Sequence, residues 1–290
     1  MNAAANEAVP ATPKPRVNLR RPEVMERVAA EVAHHYRSST VEKLRARGGV
    51  LTIGNTTVYL AKEFGFCYGV ERAIDLAYAA RRAFSEQRIF LIGEIIHNPE
   101  VNRQLRDMHI ASLPWQQLDA SYDELTPADV VIVPAFGAPT AFMDKLDERG
   151  CQVVDTTCGD VMKVWRCVRS YAKDGVTSII HGKENHEETR ATASRALGEH
   201  GDGQYLVILT LEDADYVCDF IQGRGERAAF LHRFAHAYSA GFDPDLHLRR
   251  MGVANQTTML KSETEEIQRR LRQAVIARDG DATGLSLIHI

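Results

Sequence analysis

The sequence is poor in cysteine. Five cysteines lie scattered through 290 residues, an odd count with no close pairs. That excludes a dense disulfide framework and points to reduced thiols in a cytoplasmic setting. Long apolar runs are also missing. None reaches the roughly 20 residues that a membrane-spanning helix needs, and the N-terminus lacks the apolar core of an export signal. We therefore expect no membrane span and no export. Positive charge is not in excess either. With 35 Lys and Arg against 39 Asp and Glu, the net charge is −4, which argues against a nucleic-acid partner. What remains is an ordinary globular composition, 44% apolar and 26% charged, with length for about two domains.

The chain is organised around Phe64-Gly-Phe-Cys-Tyr-Gly-Val-Glu-Arg72. Thr57–Ala61 before it reads as a strand. Val70, Ile74, Ala77 and Tyr78 after it recur at helical spacing to about Phe84. Cys67 thus falls in a strand-to-helix turn. The free N–H groups of a helix start favour the thiolate, the form that binds metal. Alone, such a cysteine also reads as a small buried residue at a turn.

Upstream, Met1–Pro15 reads as a disordered lead-in, made basic by Lys14, Arg16, Arg20 and Arg21. Pro22–Arg47 suggests one or two helices, broken by Gly48-Gly49. Downstream, strands are expected at Ile89–Ile92, Val130–Pro134, Cys151–Asp155, Ser178–Ile180, Tyr205–Leu209 and Gly252–Ala254. Ser112–Pro127 reads as irregular. A helix is expected after each strand from Ile89 on. Pro99 opens one, Thr210-Leu-Glu-Asp213 is a capping box for another, and Ser262-Glu-Thr-Glu265 caps the last. Strands alternating with helices give an α/β protein with parallel sheets.

The two halves echo each other. Cys67 and Cys158 each precede a helix, and His97 and His186 follow them by 30 and 28 residues. Each pair falls near the carboxyl ends of strands, the edge where ligands bind in open parallel sheets. Two thiolates are too few for most metal sites, although iron–sulfur clusters are held by cysteines. The spacing matches no short zinc or ferredoxin motif. Cys151, Cys167 and Cys218 lie in apolar patterns and read as core. His97 and His186 suit a phosphate or diphosphate, or serve as capping or core histidines. Glu188 suits a general acid, or is a first-turn glutamate favoured by the helix dipole. Thr257 and Thr258 are pocket residues or turn residues, and Trp165 reads as core.

With these motifs assembled, the chain resembles the LytB/IspH family of 4-hydroxy-3-methylbut-2-enyl diphosphate reductases. The resemblance runs from about Leu51 to about Arg278. Besides the Cys67 turn it rests on Glu94-Ile-Ile-His-Asn-Pro99, Asp155-Thr-Thr-Cys158, Ile180-His-Gly-Lys183, Asn185-His-Glu-Glu-Thr189, Gly241-Phe-Asp-Pro244 and the run from Ala254 to Ile267. It implies three α/β lobes of parallel sheets flanked by helices around a central cavity. The implied reaction is the last step of the non-mevalonate isoprenoid pathway. A hydroxyl leaves as water, with two electrons and protons consumed, giving isopentenyl and dimethylallyl diphosphate. The implied cofactor is a 4Fe-4S cluster on three cysteines, of which Cys67 and Cys158 match the first two. By the same resemblance His97 and His186 bind the diphosphate, Glu188 delivers a proton and Thr257 lies near the substrate hydroxyl. The implied electron donor is a ferredoxin or flavodoxin.

The chain departs from the family in three places. Phe136 stands where many bacterial members have a histidine, a form shared with the plant and cyanobacterial branch. Gly159-Asp160 replaces that branch's usual Pro-Trp. The similarity ends near Arg278, before the lobe expected to carry the third cysteine. The codons CTG TCT CTT ATA CAC ATC would encode Leu285-Ser-Leu-Ile-His-Ile290; that string resembles the end of a common transposase adapter, so the tail reads as a scar to be left out of the fold. The expected layout is an extension over 1–50, lobes over 51–157 and 158–284, an adapter-derived tail over 285–290, and two lobes of three. Two other readings stand beside the reductase. One is a non-catalytic protein that binds a diphosphate or a partner. The other is a cluster-free enzyme with Cys67 as nucleophile.

Overall fold

The computed structural model describes residue 17 and residues 19–287. The lead-in over Met1–Pro15, with Lys14, and also Arg16 and the last three residues of the tail, lies outside them. The chain divides into two compact units. One is Met1–Ala135 with Leu146–Thr156, the other Phe136–Lys145 with Thr157–Ile290.

The first unit contains α1 (Pro22–Tyr36), α2 (Ser39–Ala46), β1 (Val50–Ile53), β2 (Thr56–Tyr59), α3 (Tyr68–Ala83), β3 (Ile89–Ile92), α4 (Pro99–Asp107), β4 (Ile110–Leu113), α5 (Leu118–Tyr122) and β5 (Val130–Val133). Helix α6 (Thr140–Arg149) runs across the division, and β6 (Gln152–Asp155) returns to the first unit. A parallel sheet of order β4-β3-β5-β6 forms its centre. All four residues of β5 are buried, the unbroken apolar pattern of a strand covered on both faces. Helix α3 buries Ala73, Ile74, Ala77 and Tyr78.

Helix α1 is tied to α3 by an ion pair between Glu31 and Arg82 and by one phenol. Tyr78 Oη lies 2.7 Å from His35 Nδ1 and donates to Gln104 Oε1 at 3.3 Å. The hydroxyl uses both its donor and its acceptor capacity.

Three expectations for this unit need correction. The strand before Cys67 exists, but β2 pairs only with β1, in a two-stranded antiparallel ribbon. Cys67 therefore does not follow a parallel-sheet strand. Neither face of that ribbon is buried, so β1 left no alternating pattern to read. The segment expected to be irregular starts inside β4 and holds a 3₁₀ turn at Trp115–Gln117 and then α5.

The second unit contains α7 (Gly159–Lys173), β7 (Thr177–His181), α8 (Glu187–Ala196), β8 (Tyr205–Ile208), α9 (Leu211–Ile221), α10 (Arg227–Arg233), α11 (Pro244–His247), β9 (Met251–Asn255), α12 (Lys261–Asp279) and β10 (Leu285–Leu287). They form a parallel sheet of order β10-β9-β7-β8. Central β7 is fully buried. The β7–β9 pairing sets His181 opposite Asn255, so the turns that follow both strands emerge at one edge. The capping box at Thr210 and Asp213 is present. The one at Ser262 is not: α12 starts at Lys261 after Leu260, with no side-chain cap. The tail's first three residues form β10 beside β9. Backbone hydrogen bonding along a sheet edge is indifferent to the side chains that arrive there.

No described helix is long and apolar enough to cross a membrane.

Replacing Tyr78 by Phe removes the phenol's bonds without changing the packing and leaves the Arg82–Glu31 pair in place. Both former partners can turn to water, so the expected loss is about 1 kcal/mol. Amide exchange in α1 should quicken while β3 and β5 stay protected. Unchanged protection of α1 would show that the phenol does not hold it.

Candidate functional site

In the second unit, five residues separate the end of β7 from the start of α8, and the turn after β9 lies beside it. Glu188, in the first turn of α8, is 1% exposed. Its Oε1 accepts the Thr257 backbone N–H at 2.6 Å and its Oε2 accepts the Thr257 hydroxyl at 2.9 Å. Burial pushes the Glu188 carboxyl above its ordinary range, and the two bonds from Thr257 offset only part of that rise. A buried carboxyl that keeps its proton at higher pH is suited to act as an acid.

His186 is the N-cap residue of the same helix. Its Nδ1 accepts the Glu188 backbone N–H at 3.1 Å, which leaves the ring proton on Nε2. The imidazole therefore presents a donor at a helix start, a place that favours anions.

Phe136 meets this ring edge-on, with centroids 5.4 Å apart at 79°. The turn that carries Phe136 is fixed from below. At Gly137, with φ +80°, an added Cβ would come within 2.3 Å of the Trp165 ring. Arg195 lies over the Trp165 ring and donates to Ala138 O at 2.7 Å. Where many bacterial members of the resembled family have a histidine, this chain places an apolar ring against His186.

Cys158 is the N-cap residue of α7, and Cys67 is the N-cap residue of α3 in the first unit. Both have extended backbone, and neither side chain caps its helix. Cys67 is exposed and Cys158 half-buried, so neither is the small buried hydrophobe of the plainer reading. The other three cysteines are placed differently. Cys151 and Cys218 are buried, and burial raises Cys167 and pushes Cys218 up to about 11. Such thiols give up a proton reluctantly and make poor thiolate ligands. Cys67 and Cys158 each stand at a helix start, whereas Cys167 and Cys218 lie inside helices.

His97, in the first unit, is exposed and pairs through Nδ1 with Glu94 Oε2 at 3.0 Å. Its turn is held by Asn102 of α4. That buried amide accepts from Ile95 N at 3.2 Å and donates to Ile96 O at 2.8 Å. Asn98 caps α4, so His97 stands one residue outside the helix. The second unit thus brings Glu188, Thr257 and His186 together and holds Cys158, while the first holds Cys67 and His97. Thr257 also lines a cavity of about 470 Å³ with Asn255, Lys261, Thr264 and Gln268. Sequence reasoning missed Asn102, Gln256 and the ring contact of Phe136, because an amide or a phenylalanine inside a motif has no distinctive chemistry.

The LytB protein family profile matches residues 58–283. A 4-hydroxy-3-methylbut-2-enyl diphosphate reductase from Synechococcus sp. is 49% identical over 257 residues, covering 89% of this chain and 63% of that protein. The enzyme of that name from Thermosynechococcus vestitus is 49% identical over 255 residues, covering 88% and 62%. A solved structure of (E)-4-hydroxy-3-methyl-but-2-enyl diphosphate reductase matches with a TM-score of 0.57 at 24% identity, covering 79% of this chain and 65% of that one. The Plasmodium falciparum reductase matches with 0.57 at 20%, covering 78% and 57%. These two structures speak to the fold. The chain spans less than two thirds of the length of the curated relatives it matches.

The raised Glu188 carboxyl carries a stability signature. The native state binds a proton that the unfolded state releases above the ordinary value of 4.5. Its stabilising contribution is present below that value and is lost as pH rises through the folded midpoint. Glu188→Gln keeps the shape and removes the titration. Urea midpoints of the parent should therefore fall relative to the variant as pH rises above 4.5. Parallel curves would contradict the raised carboxyl.

Proposed function

The chain belongs to the LytB protein family, and from that membership we propose that it is the greater part of a 4-hydroxy-3-methylbut-2-enyl diphosphate reductase. In this reading the full-length protein takes two electrons and two protons, breaks the substrate's C–O bond and releases water. The products are isopentenyl and dimethylallyl diphosphate. The observation that carries the reading is the buried Glu188 carboxyl held by Thr257, one helical turn-start away from a donor-bearing His186. A protein that only bound a diphosphate would gain nothing from a buried acid beside the anion site.

Each residue has a separable task. His186 donates from Nε2 to the diphosphate, and the α8 N-terminus supports the negative charge. The family resemblance assigns His97 to the diphosphate as well, and Glu94 orients its ring. Glu188 gives its proton to the departing hydroxyl, and Thr257 holds the carboxyl in place before and after transfer. Cys67 and Cys158 would hold a 4Fe-4S cluster, with the third thiolate supplied by the length that the relatives have and this chain does not span. When bound, the cluster supplies the electrons that amino-acid side chains cannot. A small redox protein such as ferredoxin or flavodoxin would deliver them. Free thiols fit a reducing, cytoplasmic compartment.

The test separates binding from chemistry in a full-length protein carrying these two units. Glu188→Gln should lower the single-turnover rate by about two orders of magnitude or more and leave substrate affinity nearly unchanged. His186→Ala should do the reverse, weakening binding with a smaller effect on the saturated rate. A Glu188→Gln protein with weakened binding and a normal saturated rate would overturn the assignment.

A further inference from the structure

We propose that Gln256 is a positioning residue that fixes Thr257 against Glu188. The proposal rests on the reading of Glu188 as the proton-delivering acid. Gln256 is 3% exposed, and its polar groups are used in a single pattern. Its backbone N–H donates to His181 O at 2.8 Å. Its Oε1 accepts from Lys183 N and from Thr189 Oγ1, both at 3.1 Å. Its Nε2 donates to Thr258 Oγ1 at 2.6 Å.

These bonds join the turn after β9 to the turn after β7 and to α8. The pairing is in register with the acid. Gln256 holds Thr189, the next residue on each side is Thr257 and Glu188, and those two are bonded to each other. A neutral amide can do this because it offers a donor and an acceptor at one end without a buried charge. The space is fitted to it. At Gly182 an added Cβ would lie 2.7 Å from Thr189 Oγ1 and 3.0 Å from Gln256 Cβ, so any side chain there would displace the amide or the hydroxyl.

The experiment uses this 290-residue chain and proton NMR of the Thr257 amide, which is bonded to the Glu188 carboxyl and so follows its titration. In the parent that signal should shift with pH as Glu188 loses its proton. In Gln256→Leu most of that shift should be lost, while the signals of β7 and β9 stay in place. Gln256→Glu is the conservative control. Protonated, it can donate to Thr258 and accept from Lys183 and Thr189, so the Thr257 response should return at low pH and vanish once the new carboxyl ionises. That rescue is readable even if the leucine variant fails to fold. A folded Gln256→Leu chain with the full response would overturn the proposal. So would a Gln256→Glu chain with no response at any pH. Neither result depends on turnover, so a failure of Glu188 as the catalytic acid would be seen separately, in the full-length Glu188→Gln protein.

Discussion

The two hydrogen bonds from Thr257 to Glu188 are the contact on which the rest of the site depends. A carboxyl at 1% exposure is costly unless its oxygens are satisfied, and here one residue satisfies both. The contact is available only because β7 and β9 are neighbours and parallel. Parallel pairing sends both following turns out at the same edge, one into α8 with His186 and Glu188, the other through Thr257 into α12. The sheet's order is thus the cause of the site's position.

Each unit uses a buried amide to hold the turn that carries its histidine. Asn102 grips Ile95 and Ile96 ahead of His97, and Gln256 grips Lys183 and Thr189 on either side of His186. The exposed ion pairs are of another kind. Arg103 with Glu100 and Asp107, or Arg269 with Glu266, lie on helix faces largely open to water, where such pairs add little. Precision in the site comes from neutral groups in dry places rather than from charges on the surface.

Much of this was legible from residue order. Four apolar residues at Val130–Val133 can only be a covered strand, and Thr210 with Asp213 sets a helix start by its own chemistry. Cysteines before helical patterns became the N-cap residues of α3 and α7. What was hidden had physical reasons. The β1–β2 ribbon has no buried face and so no hydrophobic period. The strand β4 carries exposed Ala111 and Ser112 between its buried ends, which reads as a loop. Ser262 looked like a cap because its spacing was right, but the backbone had already turned helical at Lys261. Gln256 and Asn102 could be found only once the turns they join were adjacent in space.

The central claim is that Glu188 is a buried acid whose proton is held by its surroundings. The most direct measurement is a carbon NMR titration of this chain labelled at glutamate carboxyl carbons, with Glu188 assigned by the Glu188→Gln variant. A titration midpoint above the ordinary 4.5 is the result this account requires. A Glu188 carboxyl that titrates at or below that value, as an exposed glutamate would, contradicts it.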